Sequence, residues 1–209
     1  VDHTGSQSNP QLVMTSGNQF AIAWTDDRNG ASNVYVQQFS ANGDRLFGDN
    51  GMKVTEDEPL SQIDPRMSFF DNALYMGWSS WDMIGTRFRY HVYGQKIQDG
   101  QRLWGASGKM ISVLSGTAML EETKLTHLVD DIYVWHRINP STSKQTIWTK
   151  RVDSNGDAAT GWTDEGLMLT DLEGMTVQLS PVAARTPQGI YVTWRDNRNG
   201  QLQYVSQHV

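Results

Sequence analysis

The sequence predicts an all-β fold: a β-propeller of four-stranded antiparallel blades, with four repeats visible as a four-bladed ring or as a segment of a larger propeller. Three observations predict it. A tryptophan ends an apolar-alternating run four times, a second strand-like run follows each tryptophan, and turn dipeptides follow those runs. Four short strands joined in sequence by turns make one blade. We expect a single β-propeller domain, or a propeller fragment, over residues 1–209.

The tryptophans set the period. They are Trp24, Trp78, Trp135 and Trp194, spaced roughly 54 to 59 residues apart. That period is longer than the 20–30 residues typical of an open β-solenoid, so blades are favoured. The predicted repeats cover approximately residues 9–55, 64–113, 122–170 and 180–209.

The first repeat illustrates the elements in order. Pro10–Met14 is the opening strand, and its proline fits the first residue of a strand, where no ladder N–H is lost. Phe20–Trp24 and Val34–Phe39 alternate as the second and third strands. Asn42-Gly43 supplies the positive φ of a hairpin turn, and Gly51–Val54 is the fourth strand.

Blades must stack to be stable. One sheet of about 50 residues buries too little apolar area, and stacking through Trp and Tyr adds about 1.5–3 kcal/mol per large side chain. This interpretation requires the four tryptophans to occupy like places in four matching sheets.

Composition excludes several classes of function. The chain has 17 Lys and Arg against 23 Asp and Glu, a net charge of −6 that disfavours nucleic acid as a partner. Cysteine is absent, which removes disulfides and thiolate chemistry. No apolar run approaches the roughly 20 residues that span a bilayer, so we expect no direct membrane insertion. The first residue, Val1, and the strand-like Val205–Val209 indicate a processed chain or fragment.

Two repeats carry nearly the same loop after the tryptophan. An aspartate there suits turn amides, an arginine suits a bidentate contact to a carboxylate or carbonyls, and Asn-Gly suits a reversal. Recurrence in equivalent places favours a structural role over a binding or catalytic one. The residues of this structural loop are Trp24, Asp26, Arg28, Gly30, Trp194, Asp196, Arg198 and Gly200.

The pattern Trp-x-Asp-x-Arg-Asn-Gly, then Val-Tyr-Val-Gln-Gln-Phe, then Asn-Gly-Asp-x-Leu-Phe-Gly resembles the repeats of a β-propeller family of exported bacterial proteins. The resemblance is close in repeats one and four and looser in three. It implies the fold and export but brings no catalytic residue. Sialidases are similar at the level of the propeller only, because no Asp-box occurs. Arg28, Arg87, Arg137 and Arg198 lie on corresponding loops and could converge on a carboxylate.

The second repeat has the most individual stretch, which we interpret as a long loop from Trp78 to Tyr90. It places arginines among aromatic rings, the residue types that dominate protein contacts and stack on sugars. The candidate binding residues are Trp81, Asp82, Arg87, Arg89 and Tyr90.

Metal sites are weakly indicated. Asp153, Asn155 and Asp157 partly match a calcium loop, but alanine stands where that pattern wants glycine, so a hairpin turn with solvated acids is the simpler interpretation. The histidines lack metal-ligand spacing. We expect no cofactor, with calcium as the one alternative.

The expected function is a non-catalytic binding module of a secreted or cell-surface bacterial protein, contacting another protein or a glycan through rim loops. Two alternatives remain: a domain of a sialidase-like, glycan-processing hydrolase, and a purely architectural subunit of a larger surface assembly. On the first interpretation the chain is not an enzyme.

Overall fold

A computed structural model describes residues 5–56, 60–113, 122–139, 141–170 and 178–209, apart from the side chains of Ile84 and Arg87. In these ranges the chain forms four antiparallel sheets that follow one another in chain order. The predicted all-β fold of antiparallel blades is confirmed. No helix in the described part of the chain is long and apolar enough to cross a membrane.

Sheets 1 and 2 hold the first nine strands. Sheet 1 consists of β1 (Gln7–Met14), β2 (Phe20–Asp26), β3 (Asn33–Phe39) and β4 (Met52–Lys53), with a short 3-10 turn at Ser16–Asn18. Sheet 2 consists of β5 (Ser61–Phe70), β6 (Ala73–Ile84), β7 (Arg87–Gln98), β8 (Gln101–Arg102) and β9 (Lys109–Met110), the last two both pairing with β7.

Sheets 3 and 4 repeat the plan. Sheet 3 consists of β10 (Glu122–Val129), β11 (Ile132–Ile138), β12 (Gln145–Arg151) and β13 (Leu167–Met168). Sheet 4 has three described strands, β14 (Gln178–Thr186), β15 (Gly189–Asp196) and β16 (Gln203–His208).

One local prediction is wrong. The stretch from Trp78 to Tyr90 is not a long loop, because β6 and β7 stay paired as far as Ile84 and Arg87. Only Gly85 and Thr86 turn the chain. Trp81 packs edge-on against Phe88 across this ribbon, with ring centroids 5.0 Å apart, and such aromatic cross-strand pairs stabilise a two-stranded extension.

The four tryptophans occupy like places, as predicted. Each lies on the second strand of its sheet, at the same register against the third. Trp78, Trp135 and Trp194 are 0%, 0% and 2% exposed. The register pairs are Trp24 with Tyr35, Trp78 with Tyr93, Trp135 with Trp148, and Trp194 with Val205.

A glycine lies behind the indole in each of the first three sheets. A Cβ on Gly51, Gly108 or Gly166 would meet the indole Cη2 at 2.7, 3.0 and 2.8 Å, and a strand carbonyl at 2.9, 2.5 and 2.7 Å. All three also have positive φ, a conformation that glycine adopts at no steric cost. The glycine of the fourth element therefore lets the outer turn close onto the tryptophan.

Three apolar clusters hold the sheets together, one between each pair of neighbours. We call the side of each sheet that bears the tryptophan its tryptophan face, and the opposite side its covering face. Ala21, Ala23 and Val34 on the covering face of sheet 1 pack with Trp78 of sheet 2. Sheets 2 and 3 cover Trp135 and Trp194 in the same way.

The first strand of each sheet lies at the axis of this arrangement. β1 contacts β5, β5 contacts β10 and β10 contacts β14, while the short fourth strands form the opposite edge of the sheets. In the described part of the chain, the two terminal faces of the stack are uncovered. Trp24 is partly exposed on sheet 1, and Tyr204 on the covering face of sheet 4 is 78% exposed.

The contact between glycine and indole can be tested with a matched pair. Gly105 and Gly108 both have positive φ, but a Cβ on Gly105 meets nothing within 4 Å. Each substitution to alanine carries the left-handed penalty of about 1–2 kcal/mol. We expect Gly108→Ala to cost about 1–3 kcal/mol more than Gly105→Ala in the free energy of unfolding, measured by urea denaturation, because it also overpacks the Trp78 site. Equal costs would contradict the packing role.

Candidate functional site at the axis

Every axial strand is interrupted by a β-bulge at the same level. The register of β1, β5, β10 and β14 shifts at Ser8–Gln11, Ile63–Arg66, Leu125–His127 and Leu179–Val182. Three bulges hold a polar residue with φ between 51 and 54°, followed by proline: Asn9, Asp64 and Ser180. Asn and Asp tolerate this left-handed conformation better than other non-glycine residues. Bulges re-aim side chains and are frequent beside active sites.

The prolines therefore lie inside their strands, not at the first residue as the sequence indicated, since β1, β5 and β14 begin three residues or more before Pro10, Pro65 and Pro181. The bulge leaves the proline position outside the ladder, so its missing N–H costs no hydrogen bond. The recurrence of a polar residue before each proline is the signal for this site that sequence reasoning missed.

Polar contacts link the bulges across each interface. Asn9 Nδ2 donates to Asp64 Oδ1 at 2.6 Å between sheets 1 and 2. Arg66 Nε donates to the carbonyl oxygen of Thr126 at 2.7 Å between sheets 2 and 3. Between sheets 3 and 4, His127 lies beside the backbone of Pro181, which favours the charged form of its ring. A run of polar groups therefore crosses all four sheets at the axis.

Burial governs the charges in this cluster. It lowers the pKa of the Arg66 guanidinium, an effect that the nearby Asp64 carboxylate opposes. Burial first, and then the charge of Arg66, lowers the pKa of His127. The His127 ring is therefore neutral at pH 7. We call Asn9, Asp64 and Arg66 the axial cluster. It presents an amide, a carboxylate and a guanidinium, a set that can bind a hydroxyl-rich ligand.

The aspartates of the structural loops are fully engaged. Asp26 accepts from Trp24 Nε1 at 2.8 Å and from Arg28 Nε at 2.9 Å, and its side chain is 0% exposed. Asp196 is held likewise by Trp194 Nε1 at 3.3 Å and Arg198 Nε at 3.0 Å. Gly30 and Gly200 turn each loop at positive φ. That these loops are structural stays a prediction, which the occupied carboxylates support.

We call the aspartate held by the tryptophan Nε1 and the arginine side chain the aspartate clamp. In sheets 2 and 3 other residues stand in the place of the aspartate. Ser80 Oγ accepts from Trp78 Nε1 at 3.0 Å. In sheet 3 the position of the aspartate is taken by Arg137, which pairs with Glu165 at 3.2 Å and lies 3.7 Å above the Trp148 ring. Trp135 Nε1 is buried without a hydrogen-bond partner among the described residues. Arg28, Arg137 and Arg198 thus each meet a carboxylate of their own sheet, and the side chain of Arg87 lies outside the described residues.

The predicted binding residues of sheet 2 lie on the extended ribbon, not at the axial bulges. Arg89 forms a two-pronged ion pair with Asp82 across it. Lys124 Nζ lies 4.6 Å above the Tyr90 ring, and Trp81 contacts Phe88. Their binding role stays a prediction, as does that of Arg87, whose side chain is not among those described.

The calcium candidate forms a tight turn. Asp153 Oδ1 accepts from the amides of Asn155 and Asp157 at 2.8 and 3.0 Å, and the Asp157 carboxylate pairs with Lys109 Nζ at 2.5 Å. Within the described ranges, no three His, Asp or Glu side chains gather as a metal site would require. Calcium binding at this turn stays a prediction.

The fold is similar to that of a number of solved structures, among them the following three enzymes. A sialidase from Trypanosoma rangeli, in complex with the inhibitor DANA, matches with a TM-score of 0.55 and 8% identity over 97% of this chain and 38% of its own. A mannose phosphorylase from Leishmania mexicana, in complex with phosphate ion, gives 0.52 and 11% over 98% and 63%. An endo-arabinase from Bacteroides thetaiotaomicron gives 0.50 and 13% over 95% and 72%.

No family model matches the sequence, and no curated protein matches it. The identities are low enough that the structural likeness shows the fold alone, a propeller of the kind that these enzymes have. The prediction that the chain is not an enzyme is wrong, because the proteins that share its fold are a sialidase, a phosphorylase and an arabinase. The chain spans 38% of the sialidase chain, so a whole-protein activity enters below as a proposal.

The buried Asp26 clamp should make the free energy of unfolding depend on pH. Burial raises the pKa of Asp26, but the hydrogen bonds from Arg28 and Trp24 outweigh it and lower that pKa to about 2, from an ordinary 3.8. This stabilisation is complete above about pH 4 and is lost as the pH falls towards 2. We expect Asp26→Asn to destabilise the chain by about 1–2 kcal/mol at pH 7 and by much less at pH 2.5, measured by denaturant unfolding.

Asp49→Asn is the matched control, because the Asp49 side chain is 94% exposed and 3.7 Å from its partner Arg45. It should change stability by less than about 0.5 kcal/mol at either pH. A loss in Asp26→Asn that is equal at pH 7 and pH 2.5 would count against the clamp.

Proposed function

We propose that the chain belongs to a glycan-processing propeller enzyme, with the sugar bound at the axial cluster around Asp64. The observation that carries the proposal is the hydrogen bond between Asn9 and Asp64 at the bulges of neighbouring axial strands, with the charge of Arg66 close to Asp64. Sugars offer many hydroxyl groups, and binding them requires several hydrogen-bond donors and acceptors. The proteins with the same fold are named as a sialidase, an endo-arabinase and a mannose phosphorylase.

Asp64 is the group that the proposal assigns to proton transfer. Glycoside cleavage uses carboxyl groups as general acid, base or nucleophile. The amide of Asn9 fixes one oxygen of Asp64, and the Arg66 guanidinium lies close enough to interact with its charge. An oriented carboxylate can polarise a water or a sugar hydroxyl, while the Arg66 guanidinium holds the neighbouring oxygen atoms.

The rim and the location of the protein complete the proposal. The ribbon of sheet 2 carries exposed apolar side chains, with Met83 and Phe88 at 55% and 49%, and would contact a long glycan or a protein partner. A glycan substrate and the resemblance to exported repeat proteins both support secretion or display at a bacterial cell surface. An architectural role within an assembly is compatible with this placement.

Asp64 can be tested with a control on its own strand. Asp64→Asn keeps a residue that tolerates positive φ, so the bulge should survive. We expect it to lower sugar release from arabinan, mannan and sialyl-oligosaccharide panels by at least about 100-fold, the usual share of a general acid or base. Binding to a glycan array, read in parallel, should persist in weakened form.

Asp71→Asn is the control, because Asp71 also has positive φ but lies in the turn after β5, at the other end of that strand. It should leave both readouts unchanged. Sugar release by Asp64→Asn at the rate of the unaltered chain would overturn the assignment, and so would failure of the unaltered chain to bind any glycan of the array.

A further inference from the structure

The tryptophan face of sheet 1 has no neighbouring sheet against it in the described part of the chain. Its apolar side chains are partly exposed, except that of Tyr35, which is buried beneath the Arg28 guanidinium. Phe20 stacks on Phe39 with centroids 4.8 Å apart, and Trp24 stacks on the Tyr35 ring at 5.9 Å. Trp24, Phe39 and Ile22 line a groove of about 370 Å³ whose walls all come from residues 7–51. Isolated apolar side chains at a surface are ordinary, but a contiguous groove of aromatic rings indicates an interface.

The three internal interfaces of the chain indicate what covers such a face. In each, the tryptophan face receives the covering face of the preceding sheet. One position of that covering face is always a buried aliphatic side chain, Val34, Val92 or Ile147, each 0% exposed. It lies opposite the residue that follows the tryptophan. The groove on sheet 1 continues an interface that this sequence has already built three times.

A second repeated feature points to the same occupant. Arg102, after the turn of sheet 2, reaches back to the edge of sheet 1, where its Nη2 donates to the Lys53 carbonyl at 2.6 Å and its Nε to the Val54 carbonyl at 3.2 Å. Arg45 holds the same place after the turn of sheet 1, since the two sequences there are Asn-Gly-Asp-Arg and Asp-Gly-Gln-Arg. Its side chain borders the groove, is 44% exposed and lies 3.7 Å from the carboxylate of Asp49, itself 94% exposed.

Sheet 4 of the same chain does not match this interface. Tyr204 takes the place of the buried aliphatic residue, and Thr193 hydrogen-bonds to Ser206 at 2.8 Å where sheet 1 has Ala23 and Val36. A polar face with a large ring at the central position cannot approach as closely as alanine and valine do.

We infer that the tryptophan face of sheet 1 binds a further propeller blade, one that presents an aliphatic residue at the position of Val34 and edge carbonyls to Arg45. This inference does not rest on the proposed activity. Covering the face would bury Trp24 and Ile22 as Trp78 and Met76 are buried in sheet 2.

The absence of cysteine makes the face directly measurable. Ile22→Cys places a single thiol in the groove, and Met76→Cys places one at the same register position under sheet 1, because Ile22 faces Gln37 as Met76 faces Gln95. We expect iodoacetamide to label the thiol of Ile22→Cys at least about 100-fold faster than that of Met76→Cys in the monomeric chain, because a buried site reacts only after local opening. Equal protection of both thiols would show that the chain itself covers the face, and would overturn the inference.

A duplicated sheet supplies a covering blade. A copy of residues 5–60 joined to Ser6 keeps the natural spacing between sheets, because Gln7 and Gln62 hold equivalent register positions. In this fusion, with Ile22→Cys in the original sheet alone, the thiol should become at least about 100-fold slower to label. The same fusion with Ala23→Lys in the copy alone, which spoils the covering face, should restore fast labelling.

Two outcomes would overturn the inference. One is fast labelling of the original sheet's thiol in a fusion whose circular dichroism and cooperative unfolding show that the copy is folded. The other is protection of the Ile22→Cys thiol in the unduplicated chain that grows with protein concentration, since a second copy would then be the occupant. Neither outcome bears on the Asp64 assignment, which is read by sugar release.

Discussion

The rest of the structure depends on one packing contact: an indole pressed between a glycine of its own outer turn and the covering face of the preceding sheet. Gly108 lies 3.0 Å, measured from an added Cβ, from the ring of Trp78, and Ala21 and Ala23 close the other side. No sheet of this size buries enough apolar area alone, so the chain is stable only as a stack. The spacing of the tryptophans, the alanines of the covering face and the glycines of the outer turns all contribute to this contact.

The same stacking creates the axial cluster. Neighbouring sheets contact one another at their first strands. In a regular strand, successive side chains point to alternate faces of the sheet, so the polar side chains of different sheets would not be brought to one level at the axis. A bulge with a residue at positive φ redirects one polar side chain per strand. The proline that follows has no N–H, which costs no hydrogen bond because the bulge position has no ladder partner. Asn9, Asp64 and Ser180 therefore reach a common level that the strand period alone would not give them.

Sequence patterns predicted the sheets well because the indole contact is periodic and local. Tryptophan, turn dipeptide and glycine recur at similar offsets, so the strands around Trp24 and Trp194 could be predicted from the repeated pattern. The bulges were not predicted, because a register shift depends on the pairing between strands, which the sequence of a single strand does not reveal. The extended pairing of β6 and β7 was not predicted either, because Trp81 and Phe88 come into contact only once those two strands pair. Arg137 stands where sheets 1 and 4 have Asp26 and Asp196, and its partner Glu165 lies 28 residues further along the chain, so the sequence alone did not reveal the pair.

The axial cluster and the open face are physically connected. Asn9, which orients Asp64, stands on β1, the axial strand of the sheet whose tryptophan face is uncovered in the described chain. Asp64 and Arg66 stand on β5, fixed between two packed interfaces. One side of the site is thus held by two neighbours and the other by one. Because a ligand gains affinity when its contacts are ordered in advance, covering sheet 1 would order the Asn9 side of the site and so strengthen the hold on Asp64 without touching it.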